Sequence, residues 1–331
     1  MTRPQFLNEV IRDERGWNAR TAGYADAWTY RLPDACLEEL EQSVGEIDTD
    51  EGPVTDIVVR DEQFPKCREA IQPMLSALET GLGFLIIDRL PIERHPLRRQ
   101  QAIYWMFGQL LGRPFEQNIE GTLLYDVCDM GHDVTRGARF SVTNAESTFH
   151  TDHAFGKDVP DYVGLLCLRK AKSGGHSQLV SAYALHNELR QHHADVLESL
   201  YRPFCFDRRG QFLDGEMPYL PSPVFNWDGR QLKVRYLHYY IVVGQEKAGK
   251  PLTPMQNQAL EVLQQLLAAK DLRVQFDLQP GQMLFTNNRW VLHNRTAFED
   301  YPTPAQRRHL VRLWLSRTTN SNTSGRGREC D

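Results

Sequence analysis

The 331-residue chain has no C-x-x-C pair, no basic stripe, no internal repeat and no long uncharged apolar run. Each absence closes off a class of protein. Six cysteines, Cys36, Cys67, Cys128, Cys167, Cys205 and Cys330, stand apart without zinc-like rhythm. A structural zinc module is therefore excluded, and they read as reduced thiols, five of them packing residues. A net charge of −5 with both signs mixed along the chain offers no cationic track for a phosphate backbone, so nucleic acid is not an expected partner. The opening MTRPQFLNEVIRDERGW carries no apolar h-region, and nothing further on is long enough to span a bilayer. A soluble, cytoplasmic protein with no membrane partner is expected. No stretch rich in Gly, Pro or Ser divides the chain, so residues 1–317 read as one domain, followed by a tail over 318–331, TTNSNTSGRGRECD, expected to be disordered. Oligomeric state is not written in these residues.

What is present is a series of short strands with helices before and between them. GFLIIDRL, TLLYDV and YVGLLCLR (Tyr162 to Arg169) are apolar runs bounded by turn residues and read as strands. Ile103, Met106, Phe107 and Leu110 recur at helical spacing within Leu97 to Leu111. Asp228-Gly229 lies between two alternating runs and signals a hairpin, with strands near Val224 to Trp227 and Arg230 to Tyr236. Thr253-Pro254-Met255-Gln256 supplies a capping threonine, a proline at the first helical position and a glutamine at the third, opening an amphipathic helix to about Lys270. RVQFDL, QMLFTNN and RRHLVRLWLS close the chain as strands. This order suggests a β-sandwich or barrel core decorated with helices.

Within this framework STFHTDHAF, residues 147–155, sets His150 and Asp152 two apart. On a strand or at its end, positions i and i+2 point to one side, so both side chains converge while Thr151 faces away. A second histidine, His293 in NNRWVLHNR, comes from another strand some distance along the chain. Two neutral imidazoles and one carboxylate form a three-cornered face for a divalent metal, leave three positions free, and suit ferrous iron. Further on, Arg308, Leu310 and Arg312 share one strand face. An inward guanidinium is costly unless a carboxylate meets its planar fork.

His150-Thr151-Asp152, then Gly174-Gly175-His176-Ser177, WVLHNRTAFED at 290–300 and RRHLVRLWL at 307–315 together resemble the taurine dioxygenase-like family of iron(II)- and 2-oxoglutarate-dependent oxygenases, which includes clavaminate synthase. The resemblance covers about residues 145–316. It implies a mainly β fold with flanking helices on a double-stranded β-helix, or jelly-roll, core of the clavaminate synthase type. It implies His150, Asp152 and His293 as ligands of Fe(II), with 2-oxoglutarate and O2 as cosubstrates. By the same resemblance, Arg308 and Ser177 grip the distal carboxylate of 2-oxoglutarate, and Arg312 meets an anionic substrate. Ser177 stands where threonine is commoner, and Phe149 replaces a frequent tryptophan.

The expected activity is hydroxylation of a small polar molecule, an amino acid, a sulfonate or a natural-product intermediate, with release of succinate and CO2. Halogenating relatives lack the carboxylate that Asp152 supplies. Desaturation, epoxidation or cyclisation would use the same centre. From other classes, a non-catalytic metal-binding or regulatory protein and a zinc hydrolase stay open. Glu146, one strand step upstream of the motif, is read as a pocket residue able to pair with a substrate amine. His132 and His153 are read as solvated or hydrogen-bonded loop residues, Trp290 and Phe298 as packing beside His293, and residues 125–148 as a lid.

Overall fold

The computed structural model describes residues 5–45, 52–131 and 140–318. His132, the middle of the expected lid and nearly all of the expected tail lie outside these residues. In chain order the strands are β1 (Thr29–Arg31), β2 (Phe84–Asp88), β3 (Arg113–Phe115), β4 (Leu124–Val127), β5 (Tyr162–Arg169), β6 (Ser173–Gly174), β7 (Ser177–Ser181) and β8 (Pro203–Asp207). They continue with β9 (Tyr219–Pro223), β10 (Phe225–Trp227), β11 (Leu232–Val234), β12 (Arg273–Phe276), β13 (Met283–Asn287), β14 (Val291–Arg295), β15 (Phe298–Glu299) and β16 (His309–Ser316). The helices that matter below are α1 (Asp34–Gly45), α2 (Pro65–Ala70), α3 (Gln72–Glu79), α4 (Leu97–Leu111) and α5 (Ala182–His192).

Two sheets carry the architecture. The larger runs β1-β2-β13-β5-β16-β3, with β4 also paired to β16, and the smaller runs β12-β7-β14. Period-2 alternation decides which way each side chain goes. On β2, Leu85 and Ile87 join one apolar cluster with α1 to α4, while Phe84 and Ile86 join a second cluster. On β16, Val311, Leu313 and Leu315 join the helical side, and Leu310 joins the other. The larger sheet is therefore a partition buried on both faces, its outer face under helices and its inner face toward the smaller sheet. Each fully buried Leu, Ile or Phe contributes roughly 1.5–3 kcal/mol against exposure.

Most expected elements appear at or near their predicted limits. The helix over Leu97–Leu111 and the strand over Tyr162–Arg169 match residue for residue. The capping box forms as read, with Thr253 accepting from the Gln256 amide and the Gln256 side chain reaching back, and its helix ends at Ala268. The hairpin differs. β10 and β11 are joined by four residues, the Asp228 carboxylate accepts the N–H groups of Arg230 and Gln231, and of the two central residues only Gly229 has positive φ, +91°. An aspartate that binds its own turn in this way holds an ordinary φ.

The cysteine reading needs a larger correction. Cys36 on α1 and Cys67 on α2 form a disulfide, both fully buried, with a Cα–Cα distance of 4.7 Å. Their separation of 31 residues has no spacing signature, because the pairing comes from packing of two helices. Cys128, Cys167 and Cys205 are free thiols, and Cys330 lies outside the described residues.

A buried histidine ties stability to pH. His186 on α5 is fully buried against Tyr201, its Nε2 is 2.8 Å from the Tyr201 hydroxyl, and burial pushes its pKa down to about 4. Below pH 6.5 the unfolded chain takes up a proton there that the native state refuses, so stability falls as pH drops from that point toward about 4. Urea unfolding should show a loss of about 2 kcal/mol at pH 5 relative to pH 7 from this residue alone. A His186→Gln variant should lose that share of the slope; an unchanged slope would remove the assignment.

Candidate active site

The two histidines are brought together by backbone before any metal is considered. The His150 amide donates to the His293 carbonyl at 3.0 Å and the His293 amide donates back at 2.9 Å, forming an isolated antiparallel bridge beside β14. Their ring centroids lie 4.3 Å apart. Asp152 Oδ1 stands 3.5 Å from His150 Nε2 and 3.8 Å from His293 Nε2. The donor atoms of all three residues lie within 4.8 Å of one another. Residues more than 140 positions apart in sequence thus converge.

The donors are oriented as a divalent ion requires. His150 Nδ1 sits 2.7 Å from the Thr148 carbonyl oxygen and donates its proton there, so Nε2 is left with its lone pair toward the cluster. Asn288, next to β13, fixes the backbone of Asp152 from both sides. Its Oδ1 accepts the Asp152 amide at 2.8 Å, and its Nδ2 donates to the Asp152 carbonyl at 2.9 Å. Burial alone would raise the Asp152 carboxyl, but Arg312 and the two imidazoles outweigh it and hold the group well below the ordinary range. Burial, the neighbouring His150 and Arg312 keep His293 low, against the opposing pull of Asp152. At neutral pH Asp152 is therefore a carboxylate and His293 a neutral imidazole, donor types that could hold a divalent metal.

A cavity between the two sheets opens from this cluster. Its walls are apolar, with Val163, Leu165, Leu179, Leu284 and Leu310, and its polar lining includes Ser177 and Arg308. Arg308 is 6% exposed, and its Nη1 has no hydrogen-bond partner. Among the described residues no carboxylate lies within ion-pair distance of its guanidinium, which rests 5.2 Å over the Phe298 ring. Burial lowers its pKa. The Gly174-Gly175 turn makes room for it. Both glycines have φ above +70°, and a Cβ on Gly175 would come within 3.3 Å of Arg308 Nε. A buried fork without an acid is the feature a ligand carboxylate would complete.

Two expected pocket residues sit differently. Arg312 lines the cavity, but its Nη1 is 3.2 Å from Asp152 Oδ2 and its Nε donates to Gln117 Oε1 at 2.7 Å, so the guanidinium is engaged by the protein. Glu146 does not face this cavity. Residues 144–149 form no strand, so no two-residue alternation carries back from His150, and the exposed Glu146 side chain lies in a separate groove with Phe149, His238 and Arg273, where it accepts from Asn294 at 3.3 Å. His153 is not solvated: it adopts φ +56°, stacks on Trp314 at 5.2 Å, and burial brings its pKa down to about 4. The first residues of the expected lid belong to β4, and Arg295 straps the part after the undescribed stretch by donating to the carbonyls of Thr143 and Ala145.

Gln117, Asn288, Arg295 and Trp314 were not picked out from the sequence. Trp314 had a signal, since it continues the inward series Arg308, Leu310, Arg312 by one more step of two. Gln117 had none, because it meets Arg312 only through the fold.

Residues 52–314 match the family model described as taurine catabolism dioxygenase TauD, TfdA family. FR-33289 synthase of Streptomyces rubellomurinus (strain ATCC 31215) is 26% identical over 318 residues, 94% of this chain and 92% of that protein. The fold is shared with a solved asparagine oxygenase in complex with Fe(II), 2S,3S-3-hydroxyasparagine and succinate, at 21% identity and a TM-score of 0.64, covering 87% of this chain and 93% of the other. It is also shared with the non-heme iron oxygenase OrfP in complex with Fe, succinate and (3S)-hydroxy-L-Arg, at 16% identity and a TM-score of 0.64, covering 87% and 94%. With most of its length matched and the His-Asp-His cluster inside the match, the chain belongs to the TauD/TfdA family and is a non-haem iron, 2-oxoglutarate-dependent dioxygenase.

Proposed function

We propose that this dioxygenase hydroxylates a small polar molecule, an amino acid, a sulfonate or a natural-product intermediate, on a jelly-roll core formed by the two facing sheets. In this reading His150 Nε2, Asp152 Oδ1 and His293 Nε2 hold the iron, and Arg308 with Ser177 holds the distal carboxylate of 2-oxoglutarate. The observation that carries it is Arg308, a buried guanidinium with an unpaired Nη1 lining the same cavity as the three donors. Such a group is costly unless an anion arrives to meet it.

When bound, iron and 2-oxoglutarate supply the oxidant that places one oxygen atom in a C–H bond and the other in the departing succinate. The chain's own residues do the positioning. Thr148 and Asn288 fix the ligands, Arg308 fixes the keto acid, and the leucines of the cavity exclude water. A second chamber bordering Asp152 and Arg312, lined by His153, Phe155 and Tyr240, is where the substrate would lie. The name FR-33289 synthase, and the hydroxyasparagine and (3S)-hydroxy-L-Arg bound to the two similar oxygenases, support a substrate of amino-acid or natural-product size.

The test is an anaerobic titration of metal-free protein with iron(II) and then 2-oxoglutarate, followed by a compound panel scored by stimulated succinate release. A visible charge-transfer band requiring both additions, and at least one compound that raises succinate output, are expected. Absence of the band would sink the reading.

A further inference from the structure

The two oxygens of Asp152 stand in different surroundings. Oδ1 faces His150 and His293. Oδ2 accepts the indole N–H of Trp314 at 2.7 Å. The indole has little freedom to turn away. It is 3% exposed, stacked on His153 at 21°, 6.3 Å from the Phe115 ring and 4.7 Å from the Arg312 guanidinium. Arg312 reinforces the same oxygen more loosely, at 3.2 Å, against 3.4 Å to Oδ1. It is itself held by Gln117, whose amide nitrogen donates to the carbonyls of Leu123 and Arg312. A chain of hydrogen bonds therefore runs from the loop after β3 across β16 to this carboxylate.

We propose that Trp314, backed by Arg312, is the positioning residue that makes Asp152 present Oδ1 alone to the iron. The inference rests on the iron-binding reading above and deepens it. Three protein donors leave three positions on a six-coordinate ion, two for the keto acid and one for dioxygen. A carboxylate free to rotate can bind through both oxygens and occupy the last of these. The indole N–H prevents this by occupying Oδ2, and being neutral it leaves the carboxylate its charge. Trp314 does not touch the reacting atoms and acts only through Asp152. Arg312 takes part in the same restraint, which accounts for a guanidinium that lines the cavity yet is turned to the protein.

Trp314→Phe tests the assignment, since it keeps an aromatic ring against His153 while removing the N–H together with one ring of the indole. Iron(II) affinity of the anaerobic protein with 2-oxoglutarate should fall roughly 10- to 100-fold, the usual cost of losing a partner behind a metal ligand. The visible band of the ternary complex should shift, beyond the modest fall in melting temperature that loss of buried ring volume brings in any case. A tryptophan that serves packing alone would lower the melting temperature and leave affinity and band in place. Should Trp314→Phe fold poorly, Arg312→Met carries the same expectation through the second donor. Variants with wild-type affinity and band overturn the inference. Wild-type protein that shows no band overturns the iron reading itself, and the two failures are thereby told apart.

Discussion

Asp152→Asn yields folded protein that neither retains iron nor forms succinate. The substitution keeps the shape and one hydrogen-bonding oxygen but removes the only negative charge in a cluster that otherwise holds two imidazoles. An amide oxygen is a weak donor to a divalent ion, and the remaining histidine pair is a poor site by itself. The loss in iron affinity should exceed the roughly 10- to 100-fold expected for a residue behind a ligand. Arg312 also loses its carboxylate partner, so a lower melting temperature should accompany the change. Metal content after dialysis and succinate release with 2-oxoglutarate are the measurements. Iron retained at wild-type occupancy would show that the ion is held elsewhere.

Arg308→Leu is expected to separate binding from stability. Losing a charged fork to a ligand carboxylate costs about 1.5–3 kcal/mol per hydrogen bond, so the apparent affinity for 2-oxoglutarate should fall on the order of 10- to 100-fold. Without cosubstrate the same change removes a buried cation that has no acid within ion-pair reach among the described residues, next to apolar Leu310 and Phe298. The melting temperature of the free protein should therefore hold or rise. Arg308→Lys should recover only part of the affinity, because one ammonium cannot reproduce the planar pair of donors. If 2-oxoglutarate binds Arg308→Leu as tightly as wild type, the residue does not anchor it.

The parts of the molecule that could be read in advance are those governed by local periodicity. The two-residue step of His150-Thr151-Asp152, the alternation through Arg308, Leu310 and Arg312, and the capping box at Thr253 follow from strand and helix geometry, and the chain obeys them. What stayed hidden depends on which surfaces meet. The Cys36–Cys67 bond joins two helices, and the Gln117–Arg312 contact spans 195 positions. Neither leaves a mark on its neighbours in sequence. Glu146 shows the limit of a position-based argument: residues 144–149 form no strand, so the step of two does not carry back from His150 to place its side chain. Arg312 shows another, since its guanidinium does line the cavity but meets Asp152 of the same cluster.

The reciprocal amide bridge between His150 and His293 means that the clasp is finished before an ion arrives. Little ordering entropy is then spent on capture, and little discrimination is gained from it. Nickel, cobalt and zinc should settle in the same seat and act as inhibitors, because a prebuilt nitrogen and oxygen face ranks divalent ions by intrinsic strength. Which metal the enzyme carries is then decided by supply, and purification on nickel resin is a direct route to inactive protein.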